Sequence, residues 1–494
     1  MNRPIHPEPW RAALQRRVFL KDSVYGLGAL ALAGLLDPRL FGGSSRAGES
    51  SPKTAEQWRG VVRPTHFPVK ARRVIHLCMA GGPSQYESLD HKPMLARLDG
   101  KPFPESFTKG QQLAQLQNKA LIARGPFCGF RKHGESGQEI SDLFPHTARI
   151  ADKICIIRSV TTEQINHDSA HAFMNSGSIL KGRPSMGSWL LYGLGAETDE
   201  LPGFVVLTSA GASGQQPVSA RQWSAGCLPS KFQGIQLQSR GDAVHYIGSP
   251  PGVGVDGQRR SIEEINRLNG MLVDDRLDPE IQTRIAQYEM ASRMQASVPE
   301  LTDFASEPKS ILDMYGVHSP GDGSFASNCL MARRLAERGV RMIQLYHRAW
   351  DHHGNIEKAM PQAALEVDQA CAALVEDLDQ RGMLDDTLVI WGGEFGRTIY
   401  CQGALSRENY GRDHHPKCFP VWLAGGGIKA GITYGETDEF GYNVVENPVH
   451  IHDVNATILH CMGIDHYRLT YKFQGLDVRL TGVLDQAPVK GILA

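Results

Sequence analysis

Short, continuously apolar runs alternate along this chain with longer stretches whose apolar residues recur every three to four positions. The runs at 73–80, 154–160, 204–208, 340–346, 387–391 and 419–423 have the length and β-branched content of strands buried on both faces. Between them, 169–175, 261–273, 279–295, 326–338, 356–381 and 453–462 carry the helical period. Such alternation predicts an α/β protein: a large, mostly parallel sheet with helices on both faces. Residues 48–70 are polar and Pro-containing and read as a linker, and 211–257, rich in Gly, Ser and Gln, as a loop insertion. The rest of 71–494 then forms one domain, with no internal repeat.

Residues 1–47 read as an address. Arg16-Arg17-Val18-Phe19-Leu20-Lys21 precedes a weakly apolar stretch from Val24 to Leu36. Paired arginines before a short apolar region resemble a twin-arginine export signal, which predicts passage through that export machinery to a periplasmic or secreted location. No apolar run approaches the ~18 residues of a spanning helix.

Composition narrows the function. The 494 residues carry 52 Lys and Arg against 53 Asp and Glu, and removing 1–47 leaves a chain at about −5. Nucleic acid is excluded as a partner, because neutralising phosphates takes a concentration of basic residues. The nine cysteines include no Cys-x-x-Cys pair and read mainly as small buried residues.

The candidate chemistry lies at strand ends, where parallel sheets hold their ligands. Nine of the 19 histidines fall between His347 and His466, in clusters that include Asp351-His352-His353, Asp413-His414-His415 and His450-Ile451-His452-Asp453. Gly393-Glu394-Phe395-Gly396-Arg397 is another polar turn. Asp351, His353, Glu394 and either His414 or His415 supply the nitrogen and oxygen donors that a divalent metal takes from separated segments. Arg397 is placed to grip a phosphate or sulfate oxygen. Asp453 reads as the N-cap of the last helix. His167 and His171, spaced i and i+4, share a helix face. They imitate the zinc-protease pattern with Asp168 in place of its Glu, although a helix start facing an anion suits the segment better.

Together these segments resemble the domain of unknown function 1501 family, related to sulfatases within the alkaline-phosphatase-like superfamily. The resemblance rests on Ala80-Gly81-Gly82-Pro83-Ser84, Trp350-Asp351-His352-His353-Gly354, Gly392-Gly393-Glu394-Phe395-Gly396-Arg397-Thr398, Gly411-Arg412-Asp413-His414-His415-Pro416 and Asp438-Glu439-Phe440-Gly441. It implies the superfamily's sheet and a metal-dependent hydrolase of sulfate or phosphate esters, on a small-molecule or glycan substrate. The metal would be zinc, calcium or manganese. Asp351, His353 and His414 or His415 match the first metal's ligands. Glu394 stands at a second metal's Asp, but Phe395 replaces that metal's His and Gly81-Gly82 replaces another Asp, so one metal or none fits better than two. His167 falls at the nucleophile's position, as nucleophile or acid/base, with Ser84 a weaker candidate. Cys227-Leu228-Pro229-Ser230-Lys231 imitates the sulfatase maturation motif with Lys for Arg, far from the first strand. The alternative is a non-catalytic binding or assembly protein on a degenerate fold of this type.

Overall fold

The central strands are buried on both faces, and their successive side chains enter two cores, which fixes the layers. In the computed structural model the described residues are 58–494 except 112, 114–115, 117–119, 210–215, 245–253, 255–256, 258–259, 268–278, 320, 404–405 and 407. Residues 1–47, expected from the sequence to be an export signal, lie outside them. The strands of the central sheet and of the hairpin beside it are β1 Arg73–Met79, β2 Ile154–Thr161, β3 Phe204–Ser209, β4 Ile235–Leu237, β5 Met342–His347, β6 Thr387–Gly392, β7 Gly396–Gly403, β8 Tyr410–His415, β9 Phe419–Ala424, β10 Ile432–Tyr434 and β11 Val449–His450. Among the helices are α1 His167–Ser176, α2 Met186–Leu194, α3 Pro279–Thr302, α4 Phe325–Glu337, α5 Ile356–Gln380 and α6 Ile451–Cys461.

The central sheet runs in the order β10-β2-β9-β6-β1-β5-β3-β4, with β11 also beside β2. Every pairing in it is parallel except those of β9, which runs antiparallel to both β2 and β6. The exception has a simple cause. A parallel return needs a crossover long enough to carry a helix, and the stretch between β6 and β9 is spent instead on the β7/β8 hairpin, so the chain turns back.

Along β1, Ile75, Leu77 and Met79 face one core with Leu330, Leu335 and Leu374 of α4 and α5. Val74 and Cys78 face the other, with Trp189 and Leu190 of α2 and Ile458 of α6. Each fully buried side chain of this size contributes about 1.5–3 kcal/mol, which holds the strand ends steady.

Several sequence expectations change. Residues 58–70 are not a free-standing linker: Val62 is buried, its N–H bonds Gly193 O at 2.8 Å, and Ala71 N–H bonds Cys461 O at 2.8 Å. The described part of 211–257 is more than loop, because it buries Trp223 and Phe232 and adds β4 to the sheet edge. The N-cap of α6 is His450, with Asp453 three residues on accepting from His450 N–H in a capping box. All nine cysteines are free. No helix among the described residues is long and apolar enough to cross a membrane.

Candidate metal centre

Three adjacent parallel strands, β5, β1 and β6, end side by side, and the site lies beyond those ends. The turn after β1 is Gly81-Gly82. Gly81 has φ +118°, and a Cβ there would collide with the backbone of Trp350 and Asp351. Glycine therefore lets the loop after β5 approach, and Trp350 N–H bonds Ala80 O at 3.2 Å. The β7/β8 hairpin closes a further side: Arg412 N–H bonds His352 O at 3.0 Å. The start of α1 provides the remaining wall.

Asp351 Oδ1 is the point of convergence. His353 Nε2 lies 2.8 Å from it, His167 Nε2 3.2 Å and His414 Nε2 3.4 Å. Gln216 donates to the other oxygen, Oδ2, at 2.6 Å, which leaves Oδ1 to the histidines. His353 Nε2 and His414 Nε2 are 3.0 Å apart. Their Nδ1 atoms face oxygen acceptors, Gln402 Oε1 for His353 and Ile165 O, at 2.7 Å, for His414. With Nδ1–H donated to those oxygens, each ring turns its Nε2 toward the same point. Burial pushes the His414 pKa down, with Asp351 opposing and Arg397 reinforcing, so His414 is the neutral form that a cation needs. The chemistry of this donor set therefore fits a divalent metal.

A second group lies behind the first and shares His167. Its Nδ1 is 2.6 Å from Glu394 Oε1, and His171 Nε2 is 3.4 Å from the same oxygen. Ligand atoms lie within 4.8 Å of one another in both groups, His167–Asp351–His353–His414 and His167–His171–Glu394. Gly81 N–H donates to both Glu394 oxygens, at 3.0 and 3.1 Å. Burial would raise the Glu394 pKa, but His171 and His167 hold it at about 2. Burial likewise opposes the charge on His167, yet Asp351 and Glu394 raise it to about 9. Asp351 is held well below the usual carboxylate range, against burial, by the three histidines and Arg397.

The candidates separate clearly. Asp351, His353, His414 and His167 come together, and Glu394 reaches them only through His167. His415 does not join: strand alternation turns it to the opposite side, where Nε2 meets Tyr442 O at 2.7 Å and the ring stacks on Tyr442. Arg397 is not free to grip an anion. It is 1% exposed, and its guanidinium donates to the carbonyls of Gly81, Gly82, Trp350 and Arg412 and to Asp351 Oδ1 at 2.7 Å. Asp168 turns outward and pairs with Arg221 at 2.7 Å, and it belongs to neither ligand group, so it does not take the place of a protease base. Ser84 is buried, and Cys227 belongs to neither ligand group. Residues the sequence did not single out are Gln216, Gln402 and the Gly81 N–H. None carries a pattern, since a glutamine or peptide group gains its role only from what the fold sets beside it. The His167/His171 spacing was visible, but Glu394, more than 200 positions away, was not visible as their partner.

The fold and site define a class: an α/β protein with a histidine–carboxylate pocket at the carboxyl ends of its central strands. The chain belongs to the family described as "Protein of unknown function (DUF1501)", whose sequence model matches residues 71–493. Among curated proteins none matches it. Solved structures that resemble it include the PsFucS1 sulfatase from Pseudoalteromonas sp., 13% identical over 80% of this chain and 68% of that one, with a TM-score of 0.31. Another is the alkaline phosphatase from the Antarctic bacterium TAB5, 10% identical over 74% and 95%, TM-score 0.27. A third is the lipoteichoic acid synthase LtaP from Listeria monocytogenes, 9% identical over 87% and 79%, TM-score 0.32. These likenesses are distant, and what those proteins act on does not transfer to this chain.

Proposed function

We propose that this protein is a metal-dependent hydrolase of sulfate or phosphate esters, on a small-molecule or glycan substrate. One observation carries the reading: the Nε2 atoms of His353 and His414 and the Oδ1 of Asp351 lie 2.8–3.4 Å apart, with the rings' Nδ1 atoms tied back to oxygens. Asp351, His353 and His414 hold a zinc, calcium or manganese ion, which when bound supplies Lewis-acid polarisation of the ester oxygen. His167, with Nε2 in the same pocket and held in its charged form by Asp351 and Glu394, moves a proton to and from the reacting oxygen, or acts as nucleophile once that proton is lost. Arg397 holds Asp351 and the surrounding peptide carbonyls in place. Gln216 fixes which carboxylate oxygen faces the pocket. The test is elemental analysis of the native protein together with turnover of aryl sulfate and aryl phosphate esters. One bound ion per chain and metal-dependent turnover are expected. Metal without turnover would favour the binding or assembly reading, and neither would remove the site.

Export by the twin-arginine route belongs to the same reading, because that machinery carries folded, loaded proteins. Its support is Arg16-Arg17 before the apolar stretch. Replacing both by Lys is expected to keep the protein inside the cell, as fractionation would show. Unchanged export would end the assignment.

A further inference from the structure

Glu394 is 1% exposed, yet its carboxylate has an unusual set of neighbours for a metal ligand. Both oxygens accept from Gly81 N–H, Oε1 faces His167 Nδ1 at 2.6 Å, and His171 Nε2 stands 3.4 Å behind it. It is thus separated from Asp351 Oδ1 by the full width of one imidazole ring. A carboxylate on the far nitrogen of a functional histidine fixes the ring's orientation and tautomer, and losing such a partner typically costs 10–100-fold in metal affinity or activity. We infer that Glu394 is a positioning residue: anchored by the Gly81 peptide and backed by His171, it holds His167 by Nδ1–H so that Nε2 is presented to the Asp351 pocket. Glu394 is then not a metal ligand, although its place in the sequence suggests one.

This arrangement also accounts for Gly81. The residue carries no side chain to bind a metal, and its peptide N–H does the anchoring instead. A side chain would be excluded there by the Trp350–Asp351 backbone. Phe395, beside Glu394, packs its ring 5.0 Å from that of His167 and 4.4 Å from that of His414. It closes the apolar side of both imidazoles without offering a ligand.

The inference deepens the hydrolase reading and rests on it only for the part His167 takes in turnover. Its test uses the full-length protein, Glu394→Gln, and Asp351→Asn as the ligand-loss control. One arm titrates zinc and manganese and counts bound ions. Glu394→Gln is expected to bind the ion at wild-type stoichiometry with affinity reduced no more than 100-fold, where Asp351→Asn loses it. Loss of stoichiometric binding in both variants alike would make Glu394 a ligand and overturn the inference. The second arm needs no metal: in histidine-labelled protein, the His167 Nδ1–H proton, assigned with His167→Gln, is expected far downfield and protected from exchange, and to move upfield in Glu394→Gln. A His167 proton signal unmoved by that change would equally overturn it. Wild-type protein that binds no ion would sink the hydrolase reading, while the proton signal would still decide what Glu394 does.

Discussion

Asp351→Asn is expected to weaken binding of the divalent ion by more than about 100-fold, beyond the 10–100-fold typical of outer partners. The oxygen concerned is the one on which His353, His167, His414 and Arg397 all converge, at 2.7–3.4 Å. An amide keeps the shape but removes the charge, and in either orientation its NH2 meets a donor, Arg397 at one position or the Gln216 amide at the other. His353→Ala is expected to act in the same direction. His466→Ala is the control, since its Nδ1 bonds Thr481 Oγ1 at 2.9 Å, outside both ligand groups. Ion content by elemental analysis after equilibration with zinc or manganese is the measurement. Equal occupancy in all three variants would remove the pocket.

The largest stability loss is expected from Glu87→Gln. Glu87 and Arg412 are both fully buried, with Oε1 and Oε2 facing the guanidinium at 2.5 and 3.2 Å. The same guanidinium donates to the carbonyls of Thr398, Ile399 and Arg124, at 3.0–3.2 Å, and sits over the Tyr86 ring. Removing one partner of a buried pair strands the other charge and typically costs 3–5 kcal/mol. Denaturant titration of Glu87→Gln should show a loss of about that size. The double replacement of Glu87 by Gln and Arg412 by Met should lose less than the sum of the two single changes. A single-variant loss below about 1 kcal/mol would mean that the pair is solvated and that the hairpin is held by its backbone alone.

Much of the architecture was legible because it depends on apolar periodicity. The six strands expected from the sequence are all present, with β5 starting at Met342 and not at 340. The β7/β8 hairpin was not legible, because both faces of its strands are buried while many of the buried residues are polar, among them Arg397, Thr398, Arg412, Asp413 and His414, so no apolar run marks it. The antiparallel course of β9 follows from that hairpin and was hidden with it. For the site, residue types and strand-end placement indicated a cluster of Asp351, His353, Glu394 and a histidine before Pro416. Choosing between His414 and His415 needs the strand register, in which His414 lies opposite Arg397. The role of Arg397 depended on burial: nearness in sequence to a polar turn suggested an anion clamp, while its surroundings consist of peptide carbonyls.

The ties that shape the pocket span most of the chain. Gly81 to Glu394 covers 313 positions, Gln85 to Arg397 312 and Glu87 to Arg412 325. Closing loops of that size loses chain entropy before any contact rewards it, so such contacts form after local ones. A polypeptide still being synthesised therefore cannot complete the pocket until the segment carrying Glu394, Arg397 and His414 has emerged. Truncation before Gly392 removes Glu394, Arg397 and His414 together, and leaves Asp351 with His353, His167 and Gln216 but without the arginine and the third imidazole that complete the pocket.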